Sequence, residues 1–286
     1  MEPINNHIAI LMATYNGERY LSEQIRSILT QTCQDWHLYI HDDGSTDKTV
    51  DMLKEYVSQY PHQITLLDYP SQGGACLNFM SMLEQVDAPH YRFCDQDDVW
   101  LPEKIETEYL KIQEIEKKLP ETPIIVNTDL TVVDENLKCI SHSFWELSGI
   151  NTHFLRKYVD YAANNAVTGC TMLFNKAVKR AIKHPYKEAL MHDSWITLSV
   201  AAAKGTIYYI PQQLVLYRQH GHNTLGVRDV KELTWKYRLR NAILMLKKNQ
   251  AHYRQMNAIS PISLTNYIIA KIRYKFSSQT TRKNSL

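Results

Sequence analysis

Four times in about its first 120 residues the chain repeats one pattern: a short apolar run, a polar turn, then apolar residues at helical spacing. His7 to Ala13 is the first run, followed by Thr14-Tyr15-Asn16-Gly17 and then by Tyr20, Leu21, Ile25, Ile28 and Leu29. His37 to His41 leads into Asp42-Asp43-Gly44-Ser45-Thr46-Asp47, and Val50, Leu53 and Val57 mark a second helix, which Ser45 or Thr46 can cap. Ile64 to Leu67, the Gly73-Gly74 loop and the face Leu77, Met80, Leu83 and Val86 make the third unit. His90 to Cys94 opens the fourth, whose helix begins at Pro102 and carries Ile105, Tyr109, Ile112 and Ile115. This order predicts a mostly parallel sheet covered by helices on both faces. Ligands of such sheets bind at the carboxyl ends of the strands, where the loops at Thr14, Asp42 and Asp95 are expected.

The fourth run ends in Asp95-Gln96-Asp97-Asp98, three acids in four residues. Hard divalent cations take oxygen ligands, so bound Mg²⁺ or Mn²⁺ would relieve the repulsion among them. A calcium loop of the EF-hand kind fails, because Val99, Trp100 and Pro102 stand where a ligand, the turn glycine and a free chain belong. A solvated acidic turn that caps the next helix remains open on these residues alone.

Further along, Ile124 to Val126 reads as a strand, 134–165 as irregular, and Thr168 to Phe174 as a strand with a short helix after it. A helix is predicted from His192 through Ala203, stopped by Gly205, and two strands from Thr206 to Ile210 and Leu214 to Arg218. One compact domain, 1–226, accommodates all of this. The segment 227–286 reads as a helical tail divided at Pro261, with Ile268, Ile269 and Ile272 beside Lys271, Arg273 and Lys275. From Asp229 onward twelve Lys or Arg face two acids, so the last fifth carries about +10 and the rest about −8 of the net +2. A basic amphipathic tail points to an anionic membrane surface, and a helical pair packed on the body is the other reading.

Five scattered cysteines without C-x-x-C spacing argue against a disulfide framework and a zinc site. They point to a reducing, cytoplasmic setting, and no run has the length of a membrane span. The first loop lacks G-x-G-x-x-G, and no P-loop occurs anywhere. Phosphate binding, if present, must then use a metal, and no nucleic-acid partner is expected.

Six ordered motifs carry a resemblance: Ala13-Thr14-Tyr15-Asn16-Gly17, Asp42-Asp43-Gly44-Ser45, Asp95-Gln96-Asp97-Asp98 with Trp100 and Pro102, Thr168-Gly169-Cys170-Thr171, His192-Asp193-Ser194-Trp195, and Tyr217-Arg218-Gln219-His220. Together they resemble family 2 inverting glycosyltransferases of GT-A fold, in the bacterial rhamnosyltransferase-like branch, over residues 7–226. The resemblance implies transfer of one sugar from a UDP- or dTDP-sugar to a cell-surface glycan or lipid-linked acceptor. By the same resemblance the loop Ala13, Thr14, Tyr15 and Asn16 cradles the nucleotide, together with Gln96. Asp43 accepts the base imide N–H, Asn78 faces diphosphate or ribose, and Asp95 contacts ribose or the metal shell. Asp97, with Asp95 and His220, holds Mn²⁺ or Mg²⁺, Asp98 supports the loop, and Asp193 is the catalytic base. Trp100, Gly169, Cys170, His192 and Trp195 are expected around the sugar or acceptor. The tail would rest on the inner face of the cell membrane.

Two departures stand out. Gly73-Gly74-Ala75-Cys76-Leu77-Asn78 has no basic residue where many relatives carry arginine, and the Q-x-x-R-W motif of processive synthases is missing. A sugar nucleotidyltransferase lacks its glycine-rich basic loop here. A non-catalytic carbohydrate-binding or scaffold protein of the same fold is the other alternative.

Overall fold

The computed structural model describes residues 7–221 and 242–283. Strands β1 (Ile8–Thr14), β2 (Trp36–Asp42), β3 (Ile64–Leu66) and β4 (His90–Cys94) are connected through helices α1 (Leu21–Leu29), α2 (Thr49–Gln59) and α3 (Ala75–Gln85). They pair in parallel in the order β3-β2-β1-β4. Side chains alternate as a two-sided strand requires: Ala9 and Leu11 enter one core with α3, while Ile8, Ile10 and Met12 enter the other with α1. Gly74 opens α3 at φ +135°, a conformation that glycine alone adopts readily.

Next come β5 (Val99–Trp100), α4 (Lys104–Lys118), β6 (Ile124–Val133), β7 (Cys139–Ser141), α5 (Phe144–Ser148) and α6 (Tyr158–Ala163). The body closes with β8 (Met172–Asn175), α7 (Lys176–Ala181), α8 (His192–Ala202) and β9 (Thr206–Arg218). The sheet continues β4-β8-β6-β9-β5, with β8 antiparallel to both neighbours and β6 parallel to β9. The expected mostly parallel sheet is therefore mixed. Met172, Leu173 and Phe174 are apolar toward both faces, so their pattern carries no direction.

Three local expectations change. Gly169–Thr171 is a 3-10 turn, held by Thr171 Oγ1 donating to Thr168 O at 2.8 Å, and the strand begins only at Met172. The two strands expected after Gly205 are one, β9, in which Pro211 and Gln212 sit at a register shift against Thr128 and Asp129. The stretch 134–165 contains β7, α5 and α6. Ser143 caps α5 by accepting from Glu146 N, and Asp129 gathers Ser143 Oγ at 2.5 Å and Trp145 N at 3.2 Å.

Two tail helices follow, α9 (Ala242–Ile259) and α10 (Leu264–Lys283). They pack on α8 and α6 respectively. Met256, Ile259 and Tyr267 enter the core, and Tyr158 Oη donates to Met256 O at 2.6 Å. The opposite side of α10 leaves Leu264, Ile268, Ile269 and Ile272 about half exposed. The described part of the tail thus docks on the body and also presents apolar residues outward. The boundary expected at 226/227 lies outside the described residues.

Candidate active site

The carboxyl ends of β1, β2 and β4 bring the first three motifs to one edge of the sheet. There the loop after β1 is pinned amide by amide. Tyr15 N donates to Gln96 Oε1 at 2.9 Å, Asn16 N to Ser45 Oγ at 2.8 Å, Gly17 N to Thr49 Oγ1 at 2.8 Å and Glu18 N to Asp47 Oδ2 at 3.1 Å. These four N–H groups are committed to side chains, so the loop offers a phosphate no nest of the P-loop kind. What it does present is the Tyr15 ring, 57% exposed. Asn16 takes φ +47°, which asparagine tolerates. Ala13 and Thr14 end β1, and Thr14 Oγ1 donates to Asp42 Oδ2 at 2.9 Å.

Asp42 is a turn-former whose Oδ1 accepts from Ser45 N at 2.7 Å. Asp43 is held differently: Oδ1 accepts from Ser71 Oγ at 2.7 Å and Gln72 N at 2.5 Å, and Oδ2 from Gly74 N at 2.6 Å. Partial burial would raise its carboxyl, but the Ser71 hydroxyl and the N–H groups of 72–74 outweigh it and hold the acid below the usual range. Asp43 is therefore a fixed anion, and Oδ2 keeps room for one further donor. Asn78 departs from expectation. It is buried inside the α3–β2 contact, with His41 Nδ1 at 2.7 Å from its Oδ1 and its Nδ2 donating to His41 O at 3.3 Å.

The acidic loop is braced from the last strand. Arg218 N donates to Asp98 Oδ1 at 3.0 Å, Arg218 Nε to Asp97 O at 2.8 Å and Nη1 to Glu135 O at 2.7 Å, while Nη2 pairs with Glu23. His220 Nε2 lies 2.8 Å from Asp97 Oδ2. Asp95, Asp98 and Cys170 place ligand atoms within 4.8 Å of one another. Burial, then the Asp97 charge, then Asp193 push Asp95 up to about 7, a strain that a cation would relieve. Burial raises the Cys170 thiol well above its ordinary value, and a neutral thiol is a poor ligand. The carboxylates of Asp95 and Asp98 offer the oxygen ligands a hard cation takes, with Asp97 and His220 paired next to them.

Asp193 begins the first turn of α8. Burial raises its carboxyl to about 6 against the N–H groups of Ser194 and Gly169, which favour the anion. Cysteine 76 feels the same charge, so Asp193 looks across the cleft toward the start of α3. A group that titrates near neutrality suits general-base work. His192 beside it is buried between Phe79 and Phe93, at ring distances of 4.3 and 4.7 Å, and burial lowers it to about 3. An alanine Cβ at Gly169 would lie 2.5 Å from His192 Nε2, so the glycine makes room for this imidazole.

The tryptophans do not face a sugar. Trp195 is 0% exposed, with its indole N–H donating to Lys183 O at 2.9 Å, and Trp100 is 2% exposed beneath the Arg92 guanidinium at 4.3 Å. Gly169, Cys170 and His192 are also buried, and form the wall behind Asp193 and Asp98 instead of a pocket lining. Sequence reasoning missed the support below this wall: Glu108 pairs with both Arg92 and Lys104 (Nζ at 2.7 Å), and all three are fully buried. The signal available was an arginine inside the apolar run of β4. Two further grooves lie between α1 and α2 (about 430 Å³) and beside α6 and the start of β9 (about 770 Å³).

Residues 9–181 match the sequence model of Glycosyl transferase family 2. The chain is 31% identical over 233 residues to "dTDP-rhamnosyl transferase RfbG" of Shigella flexneri, covering 75% of this chain and 73% of that protein. It is 24% identical over 284 residues to an uncharacterized glycosyltransferase of Haemophilus influenzae, covering 94% and 84%. Among solved structures, the mannosyltransferase PcManGT of Pyrobaculum calidifontis, in complex with GDP-Man and Mn²⁺, superposes with TM-score 0.59 at 14% identity, covering 95% of this chain and 70% of that one. S. aureus TarS 1-349 with UDP-GlcNAc gives 0.55 at 15%, covering 93% and 80%. With acids and base candidate on the strand edge where this fold binds ligands, and the match running through β1 to α7, the chain belongs to glycosyl transferase family 2 and is a glycosyltransferase.

Proposed function

We propose that this glycosyltransferase transfers one sugar per event, with inversion, from a UDP- or dTDP-linked donor to a cell-surface glycan acceptor. The observation that carries the reading is the carboxylate pair Asp95 and Asp98 after β4, with Asp193 close enough for its charge to act on Asp95. The dTDP-linked donor named for the Shigella relative supports a pyrimidine nucleotide.

The Tyr15 ring and the free acceptor position on Asp43 Oδ2 receive the base. Asp97 and Asp95, with His220, would hold Mn²⁺ or Mg²⁺. When bound, such an ion stabilises negative charge on the departing diphosphate as a Lewis acid. Asp193 accepts the proton of the acceptor hydroxyl as that oxygen attacks the anomeric carbon opposite the leaving group. A single displacement of this kind inverts configuration. Arg218 keeps the acidic loop in place through Asp97 O and Asp98.

The body spans 1–226 and the tail 227–286, and the tail makes peripheral contact with anionic membrane on the cytoplasmic side, where a lipid-linked acceptor is presented. No helix among the described residues is long and apolar enough to cross a membrane. The outward Leu264, Ile268, Ile269 and Ile272 with Arg273 support surface contact instead.

Calorimetric binding of UDP, dTDP and GDP, with and without Mn²⁺, tests the donor half. A pyrimidine diphosphate should bind with metal and lose that binding in Asp97→Ala. Binding of no nucleotide, or binding indifferent to metal and Asp97, would favour a scaffold protein of the same fold.

A further inference from the structure

Gln96 stands between the two acids expected to hold the metal, yet its side chain points away from both and across to the loop after β1. Its carboxamide closes a two-bond bridge on a single residue: Oε1 accepts from Tyr15 N at 2.9 Å, and Nε2 donates to Tyr15 O at 2.9 Å. A carboxamide can both accept from the N–H and donate to the C=O of one residue in this way.

Glycine 17 supplies an independent observation. A Cβ there would lie 2.2 Å from Gln96 Oε1 and 2.6 Å from its carboxamide carbon, and the position shows no positive φ that would call for glycine on conformational grounds. The glycine of the Tyr15 loop is therefore a space reserved for Gln96. Two loops separated by 81 residues are shaped to each other at this contact.

The other three pinned amides of the loop, Asn16, Gly17 and Glu18, are tied to Ser45, Thr49 and Asp47, so their placement follows the β2–α2 turn. Tyr15, which carries the exposed ring, takes its N–H and C=O partners from the acidic loop. Any shift of Asp95 or Asp97 passes through one peptide bond to Gln96 and from there to the Tyr15 backbone.

We propose that Gln96 is a positioning residue that couples the metal loop to the nucleotide loop, so that a divalent cation at Asp95 and Asp97 and a nucleotide at Tyr15 strengthen each other's binding. This rests on the donor-site reading above. Coupling between sites is reciprocal, and values of about 5- to 150-fold are typical.

The test is a closed binding cycle by calorimetry: UDP and dTDP titrated with and without MnCl₂, and MnCl₂ titrated with and without the nucleotide. It is run on the full chain and on Gln96→Ala, Gln96→Glu and Gly17→Ala, with melting temperatures recorded for each. In the unaltered protein the two enhancement factors should agree and exceed about 5-fold. In Gln96→Ala both should fall toward 1. Gln96→Glu keeps the acceptor for Tyr15 N and loses the donor to Tyr15 O, so it should give an intermediate factor. Gly17→Ala should reproduce the loss although Gln96 is still present, because the added Cβ displaces the carboxamide from Tyr15. An enhancement that survives in Gln96→Ala, in a variant that melts as the parent does, overturns the coupling and leaves the donor reading standing. A parent protein that binds neither UDP nor dTDP overturns both.

Discussion

His220 Nε2 meets Asp97 Oδ2 at 2.8 Å, joining a residue two positions past β9 to the acid expected to hold the metal. The ring also packs on Tyr20 at 4.8 Å, so its orientation is set from the α1 side. Partners of this kind typically change metal affinity by about 10- to 100-fold when removed. His220→Ala should weaken Mn²⁺-dependent nucleotide binding by that factor, Asp97→Ala should abolish it, and EDTA should silence transfer until Mn²⁺ is restored. Retention of full transfer in EDTA would remove the metal from the proposal.

Asp193 gives a pH signature. Its carboxyl is raised to about 6, and a base works as the anion, so transfer should rise as pH passes through about 6 and level off above it. Stability runs the other way. The folded pKa lies above the unfolded value near 3.9, so the contribution of Asp193 is fully present below that value and is lost as pH rises through about 6. Asp193→Asn should therefore cut kcat by about 10²- to 10⁴-fold and leave the protein more stable at pH 8, by on the order of 1–3 kcal/mol. Chemical denaturation at pH 5 and pH 8 separates the two effects.

The buried group Arg92, Glu108 and Lys104 predicts a sharp loss of stability. Lys104 is lowered to about 8 mainly by burial, with Glu108 opposing that shift. Glu108→Leu would leave two cations in the core without their anion, which costs on the order of 3–5 kcal/mol. Urea unfolding should show this as a lower midpoint with an unchanged slope. A loss below about 1 kcal/mol would mean that the cations rest on Trp100 and solvent instead.

Gly169→Ala tests the wall behind the base. The added Cβ meets His192, which Phe79 and Phe93 prevent from stepping aside. Activity should fall at least about 10-fold, since a 1 Å displacement near reacting groups has effects of that size or larger. His192→Ala in the same chain should recover part of it, a non-additive pair in a double-mutant cycle.

For the tail, Ile268→Ser with Ile272→Ser should lower cosedimentation with vesicles of anionic lipid while UDP or dTDP binding stays at the parent level. These side chains point away from the core that Tyr267 and Ala270 enter. Equal sedimentation of parent and variant would assign the exposed residues to another partner.

The sequence announced the first four strands and their helices because each is a complete local pattern, and the mixed direction of β8 escaped because a short two-sided apolar run reads the same both ways. The acids of the site were visible as residue types at strand ends. The place of Asn78 was not, since its partner His41 lies 37 residues away on another strand. Arg218 could be seen in its motif but not its reach, which joins β9 to the acidic loop, α1 and residue 135 at once. The tryptophans misled because a ring's chemistry suits both a sugar and a core, and the neighbours that decide between them are distant in the chain.

The four successive amides pinned from Tyr15 to Glu18 have a further meaning. A surface loop ordinarily loses freedom when a ligand arrives, and that loss weakens binding. Here the loop has given up much of its freedom in folding, so the entropic penalty of capturing a donor falls largely on the donor. Hydrogen exchange of these amides should be slow for residues at a cleft mouth, and should change little when a nucleotide binds.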